Sequence, residues 1–171
     1  MNEINDPELS PEVEKVAQRY LNKLKGSEPM EMERRVFLCY SRKDYDEVWK
    51  FHLAILGSGL HSFFDQSELM GIRLGENWME RIFEMLSKCT TMAYFLTPHS
   101  IQSDFIRYEV GFFIERIRIR SGAFFAIVLL QDMEIGSLKE LNVPIIEYYK
   151  MSAEDAVHQL IKEMISFYGR E

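Results

Sequence analysis

The sequence predicts an α/β fold: a doubly wound sheet of about five parallel strands with helices on both faces, preceded by an N-terminal helix. From Val36 onward, short apolar runs of the kind that form fully buried parallel strands alternate with segments of helical period. The 171 residues are 47% hydrophobic and 13% aromatic, which is enough apolar material for one buried core. Both observations favour a single main domain.

The first 35 residues are polar and are interpreted as an N-terminal helical appendage, residues 1–35, ahead of a main domain at residues 36–171. A turn-prone stretch at residues 26–29 separates the two. Ser10 can cap a helix that has Pro11 at its first position. The apolar residues at helical spacing are Val13, Val16, Ala17, Tyr20, Leu21 and Leu24. This stripe either covers a face of the main domain or docks on a partner protein, and the sequence leaves both open.

The main domain divides into strands and helices at apolar runs and turn signals. The predicted strands are residues 36–41, 60–65, 91–97, 123–130 and 144–148. The predicted helices are residues 44–56 and 76–86, a third that begins near residue 103, and residues 153–168. This alternation makes the helices crossovers between parallel strands.

The charge balance argues against nucleic-acid and membrane partners. Twenty basic and 27 acidic side chains give a formal charge of −7, so the field of the whole molecule repels phosphate backbones and anionic lipid. The basic run of Arg116, Arg118 and Arg120 is spread around the end of a predicted helix, whose C-terminal dipole favours positive charge. Without a signal peptide or an apolar stretch of about 18 residues, the chain is predicted to be cytoplasmic.

The two cysteines predict structural thiols rather than a metal centre. Cys39 and Cys89 lie in apolar segments, without CxxC spacing and without histidines arranged as zinc ligands. We therefore expect both to be buried and reduced, and we expect no metal site.

Three loops that follow successive strands are candidates for a ligand site, because open parallel sheets bind ligands beyond the carboxyl ends of their strands. After the first strand, the segment YSRKD at residues 40–44 offers two cations and hydroxyls to a phosphate, and Asp44 can cap the next helix. After the second strand, residues 65–76 form a long loop with two glycines and exposed apolar residues. After the third, residues 97–109 lead into a helix that carries a carboxylate.

Glu109, on that helix, is the strongest single candidate for chemistry. Helical spacing places it on one face with the aromatic residues Phe105, Tyr108, Phe112 and Phe113. An ordinary solvated helix acid is the alternative interpretation. The aromatic neighbours favour a functional carboxylate in partly apolar surroundings.

The three loops together resemble the TIR (Toll/interleukin-1 receptor) domain family, over roughly residues 36–146. The segment FLCYS at residues 37–41 resembles the first box of the family, and residues 65–75 resemble its BB loop. The segment SDFIRYE at residues 103–109 resembles the serine, aromatic and glutamate pattern of the third helix, in which catalytic members use the glutamate to cleave NAD. The resemblance implies a flavodoxin-like fold and, in the NAD-cleaving bacterial-type branch, an enzyme that breaks the bond between nicotinamide and ribose.

The resemblance also implies roles for individual residues. Glu109 is the expected catalytic carboxylate, which faces the ribose as positive charge develops there. Tyr40 and Phe105 are expected to stack on the nicotinamide, although enzymatic members often have tryptophan in place of Phe105. The other expected substrate-binding residues are Ser41, Arg42, Lys43, Ser103 and Asp65. The expected assembly loop offers Leu69, Met70, Gly71, Ile72 and Leu74.

Three functions are compatible with these features. The first is an NAD+ glycohydrolase or ADP-ribosyl cyclase, a defence (including antiviral) or stress signalling effector that is activated by self-association and that uses NAD+ as substrate with no cofactor. The second is a non-catalytic TIR protein-interaction module, which needs the BB loop but not Glu109. The third is a nucleoside deoxyribosyltransferase-like enzyme, but the first box and the long glycine-containing loop favour a TIR domain.

Overall fold

The predicted strands form one parallel sheet. A computed structural model of the protein describes residues 10–26, 33–64, 78–120 and 122–169. Its strands are β1 (Glu33–Cys39), β2 (His61–Phe63), β3 (Cys89–Leu96), β4 (Phe124–Leu129) and β5 (Ile145–Ile146). All neighbours pair in parallel, in the order β2-β1-β3-β4-β5. The direction of winding reverses between β1 and β3, so the sheet is doubly wound, as predicted, with its switch point between these strands.

Helices cover both sides of this sheet. They are α1 (Ser10–Lys25), α2 (Tyr45–Gly57), α3 (Trp78–Lys88), α4 (Pro98–Gln102), α5 (Asp104–Ile119) and α6 (Ala153–Tyr168). Helices α1, α3 and α5 pack together on one side, which we call the first face, and α2 and α6 pack together on the other, the second face. None of the helices in the described ranges combines the length and hydropathy that crossing a membrane requires.

Alternation along the strands divides the core between the two faces. In β1, Phe37 and Cys39 join the core of the first face, whereas Val36 and Leu38 join that of the second. Tyr40, which follows the strand, packs against the core of the second face. Two neighbouring residues, Cys39 and Tyr40, therefore end β1 on opposite sides of the sheet.

The N-terminal helix packs on the main domain, which is the first of the two alternatives that its apolar stripe allowed. Val13, Tyr20 and Leu24 are buried in the core of the first face. The Tyr20 hydroxyl donates a hydrogen bond to Glu80 on α3 (2.9 Å). From the end of α5, the Arg120 guanidinium donates to the main-chain oxygen of Leu24 (2.8 Å). Helix α1 thus completes the first face by contacts with both α3 and α5.

The structure shifts most of the predicted boundaries by one or two residues, and three of the differences change the description of the fold. Strand β1 begins at Glu33, earlier than the predicted residue 36, because main-chain pairing with β3 continues through polar residues after a register shift. Residues 98–102, expected as a turn, form α4, in which the Thr97 hydroxyl accepts a hydrogen bond from the Ser100 amide (3.1 Å). Strand β5 is limited to two residues, shorter than the predicted 144–148.

Candidate active site

Glu109 lies at the carboxyl end of β1 and β3, beside the switch point of the sheet. Helix α5 carries it there, and Ser103 begins that helix by accepting a hydrogen bond from the Ile106 amide (3.3 Å). Because α5 packs against the first face, its second turn points Glu109 at the sheet, and the residue is only 7% exposed. Glu109 is therefore not an ordinary solvated acid, which was the alternative interpretation.

A buried thiol contacts the Glu109 carboxylate. Cys39 Sγ donates a hydrogen bond to Glu109 Oε2 over 3.0 Å, between residues that are 70 positions apart in the sequence. Burial, and then the adjacent Glu109 carboxylate, raise the pKa of Cys39 well above its ordinary value. The thiol is consequently protonated at neutral pH and can serve as the donor.

Tyr94 lies beside Cys39 on the neighbouring strand, β3. It is paired with Cys39 in the β1–β3 register and belongs to the same first-face core. Burial raises the pKa of Tyr94 to about 12, and a hydrogen bond with Ser100 opposes this rise. The phenol is neutral at physiological pH. Cys39, which contacts Glu109, and Tyr94, which lies beside Cys39 on β3, are therefore both neutral groups within the core of the first face.

The loop after β1 forms a short 3-10 helix, Arg42–Asp44. Ser41 is buried and accepts a hydrogen bond from the Lys43 amide (3.4 Å), while the Arg42 side chain is half-buried and the Lys43 side chain is exposed. The prediction that the Asp44 side chain caps α2 is wrong, because it makes no such bond. Instead, the Thr97 hydroxyl, which follows β3, donates a hydrogen bond to the Asp44 carboxylate (2.6 Å). This bond connects the loop after β1 to the loop after β3.

The two expected stacking residues lie on different faces of the sheet. The Tyr40 ring stacks on Phe64 with centroids 5.0 Å apart and an interplanar angle of 8°. The Phe105 ring packs between α3 and α5, 5.0 Å from Trp78 and 6.3 Å from Phe83. Tyr40 therefore belongs with the second face and Phe105 with the first, and the structure does not bring the two rings together.

Two features of the site were missed in the sequence interpretation. Cys39 was expected only to be buried and reduced, which is confirmed, but its contact with Glu109 was not foreseen. Phe64 covers one side of Tyr40 and also stacks on His52 at 5.0 Å. The alternation of side chains along a strand was a signal for the contact of Cys39, because it places Cys39 and Tyr40 on opposite faces of the sheet.

Part of the expected site falls outside the described residues. Asp65, from the substrate-binding set, lies outside the described ranges. The residues of the expected assembly loop lie outside them as well, namely Leu69, Met70, Gly71, Ile72 and Leu74. Over the ranges that are described, no three His, Cys, Asp or Glu side chains cluster as metal ligands would.

The fold and the position of the carboxylate define a class of protein. A parallel sheet in the order β2-β1-β3-β4-β5, with helices on both faces, is a flavodoxin-like α/β domain. A family model for the TIR domain matches residues 36–161, which is most of the chain. The chain therefore belongs to the TIR domain family, as its three loops predict. A search of curated proteins finds no match to it.

Proposed function

We propose that the protein is an NAD+ glycohydrolase or ADP-ribosyl cyclase that cleaves the bond between nicotinamide and ribose. The TIR family includes NAD-cleaving members. The observation that carries the proposal is the placement of Glu109: a carboxylate that is 7% exposed, held against an apolar core at the carboxyl edge of the sheet. Ligands of doubly wound sheets bind at that edge, beside the switch point.

The chemistry requires one carboxylate and a confined ribose. The C–N bond breaks with both electrons leaving on nicotinamide, which departs neutral, and positive charge remains on the ribose around C1′. A carboxylate in surroundings of low dielectric stabilises this charge more strongly than one in water. A water oxygen then bonds to C1′ and releases a proton to solvent, which gives ADP-ribose. In the cyclase reaction, a ring nitrogen of the adenine forms that bond instead.

The loop after β1 is the proposed binding site for the pyrophosphate. Arg42 and Lys43 supply positive charge in a chain whose formal charge is −7. The Ser41 hydroxyl adds a further polar group beside them. In this proposal Tyr40 and Phe105 provide aromatic surfaces for the substrate, one from each face of the sheet. Ser103 and Asp65 complete the substrate contacts.

The depth of Glu109 supports activation by assembly. With only 7% of the residue exposed, ribose reaches the carboxylate only after neighbouring groups move. We therefore expect low activity in the monomer and higher activity when copies associate, with Leu69, Met70, Gly71, Ile72 and Leu74 as the contact loop. Such a switch suits a cytoplasmic effector of defence or stress signalling, in which NAD+ is consumed only on demand.

The decisive experiment measures nicotinamide release from NAD+ over a range of protein concentrations. Glu109→Gln and Glu109→Ala are each expected to reduce the rate about 100-fold or more, the loss typical of removing a group that stabilises transition-state charge. Glu115→Gln is the matched control, because it changes a partly exposed acid on the same helix that is paired with Arg118. Release that survives both Glu109 substitutions would disprove the catalytic assignment.

The low exposure of Glu109 also favours a second candidate, a TIR module that acts by protein association alone. This candidate predicts no NAD+ cleavage at any protein concentration. It also predicts loss of association in Leu69→Ala and normal association in Glu109→Gln. Sedimentation velocity on both variants, together with the nicotinamide assay, separates the two functions.

A further inference from the structure

We propose that Cys39 is a positioning residue, whose thiol fixes the orientation of the Glu109 carboxylate toward the ribose. The inference rests on the proposed function and extends it to a residue whose expected role was only structural. Its basis is the hydrogen bond of 3.0 Å from Cys39 Sγ to Glu109 Oε2, between two buried side chains. Substrate does not need to touch Cys39 in this role.

The strand makes Cys39 a rigid support. It is the last residue of β1, is 0% exposed, and pairs in register with Tyr94 on β3. Both side chains lie in the core of the first face, side by side under α5. Glu109 has three rotatable side-chain bonds, and a donor fixed at the end of an inner strand selects one of their combinations. Groups that are held in this way by supporting contacts keep the geometry that catalysis requires.

The donor must carry a proton for this role, and its surroundings ensure that it does. Burial and the Glu109 carboxylate hold the thiol in its protonated form at neutral pH. A serine hydroxyl at position 39 would keep a donor of similar shape, whereas alanine or valine would remove it. Substitutions at position 39 can therefore distinguish the hydrogen bond that the thiol donates from the packing of the side chain.

The test compares steady-state NAD+ cleavage by Cys39→Ala, Cys39→Val and Cys39→Ser at a protein concentration at which the wild type is active. We expect kcat to fall about tenfold in the Ala and Val variants, as loss of a hydrogen bond to a charged group implies. KM is expected to stay within about twofold, because the contact acts on the carboxylate and not on binding. Cys39→Ser is expected to keep kcat within about threefold of the wild type.

Cys89→Ala is the matched control, since Cys89 is also a free cysteine with 0% exposure but begins β3 at the opposite end of the sheet. It is expected to leave kcat unchanged. If Glu109→Gln retains the wild-type rate, the proposed function fails. If Glu109→Gln is inactive, either of two results overturns only the positioning role. The first is that the Ala, Val and Ser variants at position 39 all match the wild type, and the second is that all three lose the same activity. Thermal melts verify that every variant is folded, and the use of both Val and Ala keeps the test valid if one of them unfolds.

Discussion

The two faces of the sheet differ in what they bury. The second face, under α2 and α6, has a core of apolar and aromatic side chains. The first face, under α1, α3 and α5, includes the only two charged side chains that are buried among the described residues, Glu109 and Arg116. Burying a charge reduces stability unless it is paired and hydrogen-bonded. The second face is therefore interpreted as scaffold, and the first, which carries Glu109, as the face that the proposed function uses.

The two buried charges of α5 lie at different ends of the sheet and have different surroundings. Arg116 is 1% exposed, donates a hydrogen bond to the main-chain oxygen of Cys89 at the start of β3, and lies over the Phe113 ring. Burial lowers the pKa of Arg116 to about 10, so it is still charged at neutral pH. Glu109 lies two helical turns away, about 10 Å along the axis, at the carboxyl edge where ligands bind. Of the two buried charges, Glu109 is the one that the proposed function uses.

The largest expected effect comes from making the same truncation on both faces. Phe113 on α5 and Phe51 on α2 are both fully buried, Phe51 in edge contact with Phe95 at 5.0 Å. Phe113→Ala and Phe51→Ala are each expected to lower the free energy of unfolding by about 3–5 kcal/mol in urea titrations. Only Phe113→Ala should also reduce NAD+ cleavage by the folded protein, because Phe113 lies one turn from Glu109. Equal loss of activity in both variants would contradict the division between scaffold and functional face.

A smaller effect is expected from the helix that completes the first face. Leu24 on α1 is 1% exposed, and Leu24→Ala is expected to lower the free energy of unfolding by about 2–5 kcal/mol, the range for buried leucines. Leu53→Ala on α2 is the control, since Leu53 is 48% exposed and its loss should matter by less than about 0.5 kcal/mol. If both variants have the same free energy of unfolding as the wild type, α1 does not contribute to the core of the first face.

The smallest effect is a pH dependence of stability that the buried thiol of the first face predicts. The pKa of Cys39 is raised in the folded protein, so its contribution to stability is complete below its ordinary pKa of 9.0 and is lost as pH rises toward the folded value. Above pH 9, one thiol that titrates only when unfolded lowers the free energy of unfolding by about 1.4 kcal/mol per pH unit. Cys39→Ser should remove this slope between pH 9 and 10.5 in reducing buffer. The buried tyrosines are common to both proteins and cancel in the difference, so parallel curves would contradict the assigned thiol.

The sequence was sufficient to predict the fold because the signals for its elements are local. Each of the five strands was predicted at its apolar run, and α6 was predicted at its observed bounds, Ala153–Tyr168. The start of β1 and the role of Asp44 were predicted wrongly because both depend on partners elsewhere in the chain. Polar residues at the start of β1 join the sheet only because β3 lies beside them, and the Asp44 carboxylate bonds to Thr97 because the fold brings β3 to it. Local propensity contains no information about either contact.

The same distinction applies to the site. Aromatic spacing along one helix was enough to predict that Glu109 lies in apolar surroundings, and it is buried. The spacing could not reveal the partner of Glu109, because Cys39 is 70 residues away on another element. Arg116 is a second case: its place among three arginines was explained by the dipole at the end of a helix, and that explanation did not reveal that Arg116 itself is buried in the core of the first face.

The packing of α1 has a practical consequence for any laboratory that works with this protein. The part of the chain that matches the TIR family, residues 36–161, omits α1 and ends within α6. A fragment cut to those limits would leave the α3–α5 surface open to water where Leu24 now covers it. It would also lose Tyr168, whose hydroxyl donates to the main-chain oxygen of Thr90 (2.8 Å). Recombinant material should therefore begin ahead of Ser10, so that an inactive preparation is not mistaken for an inactive enzyme.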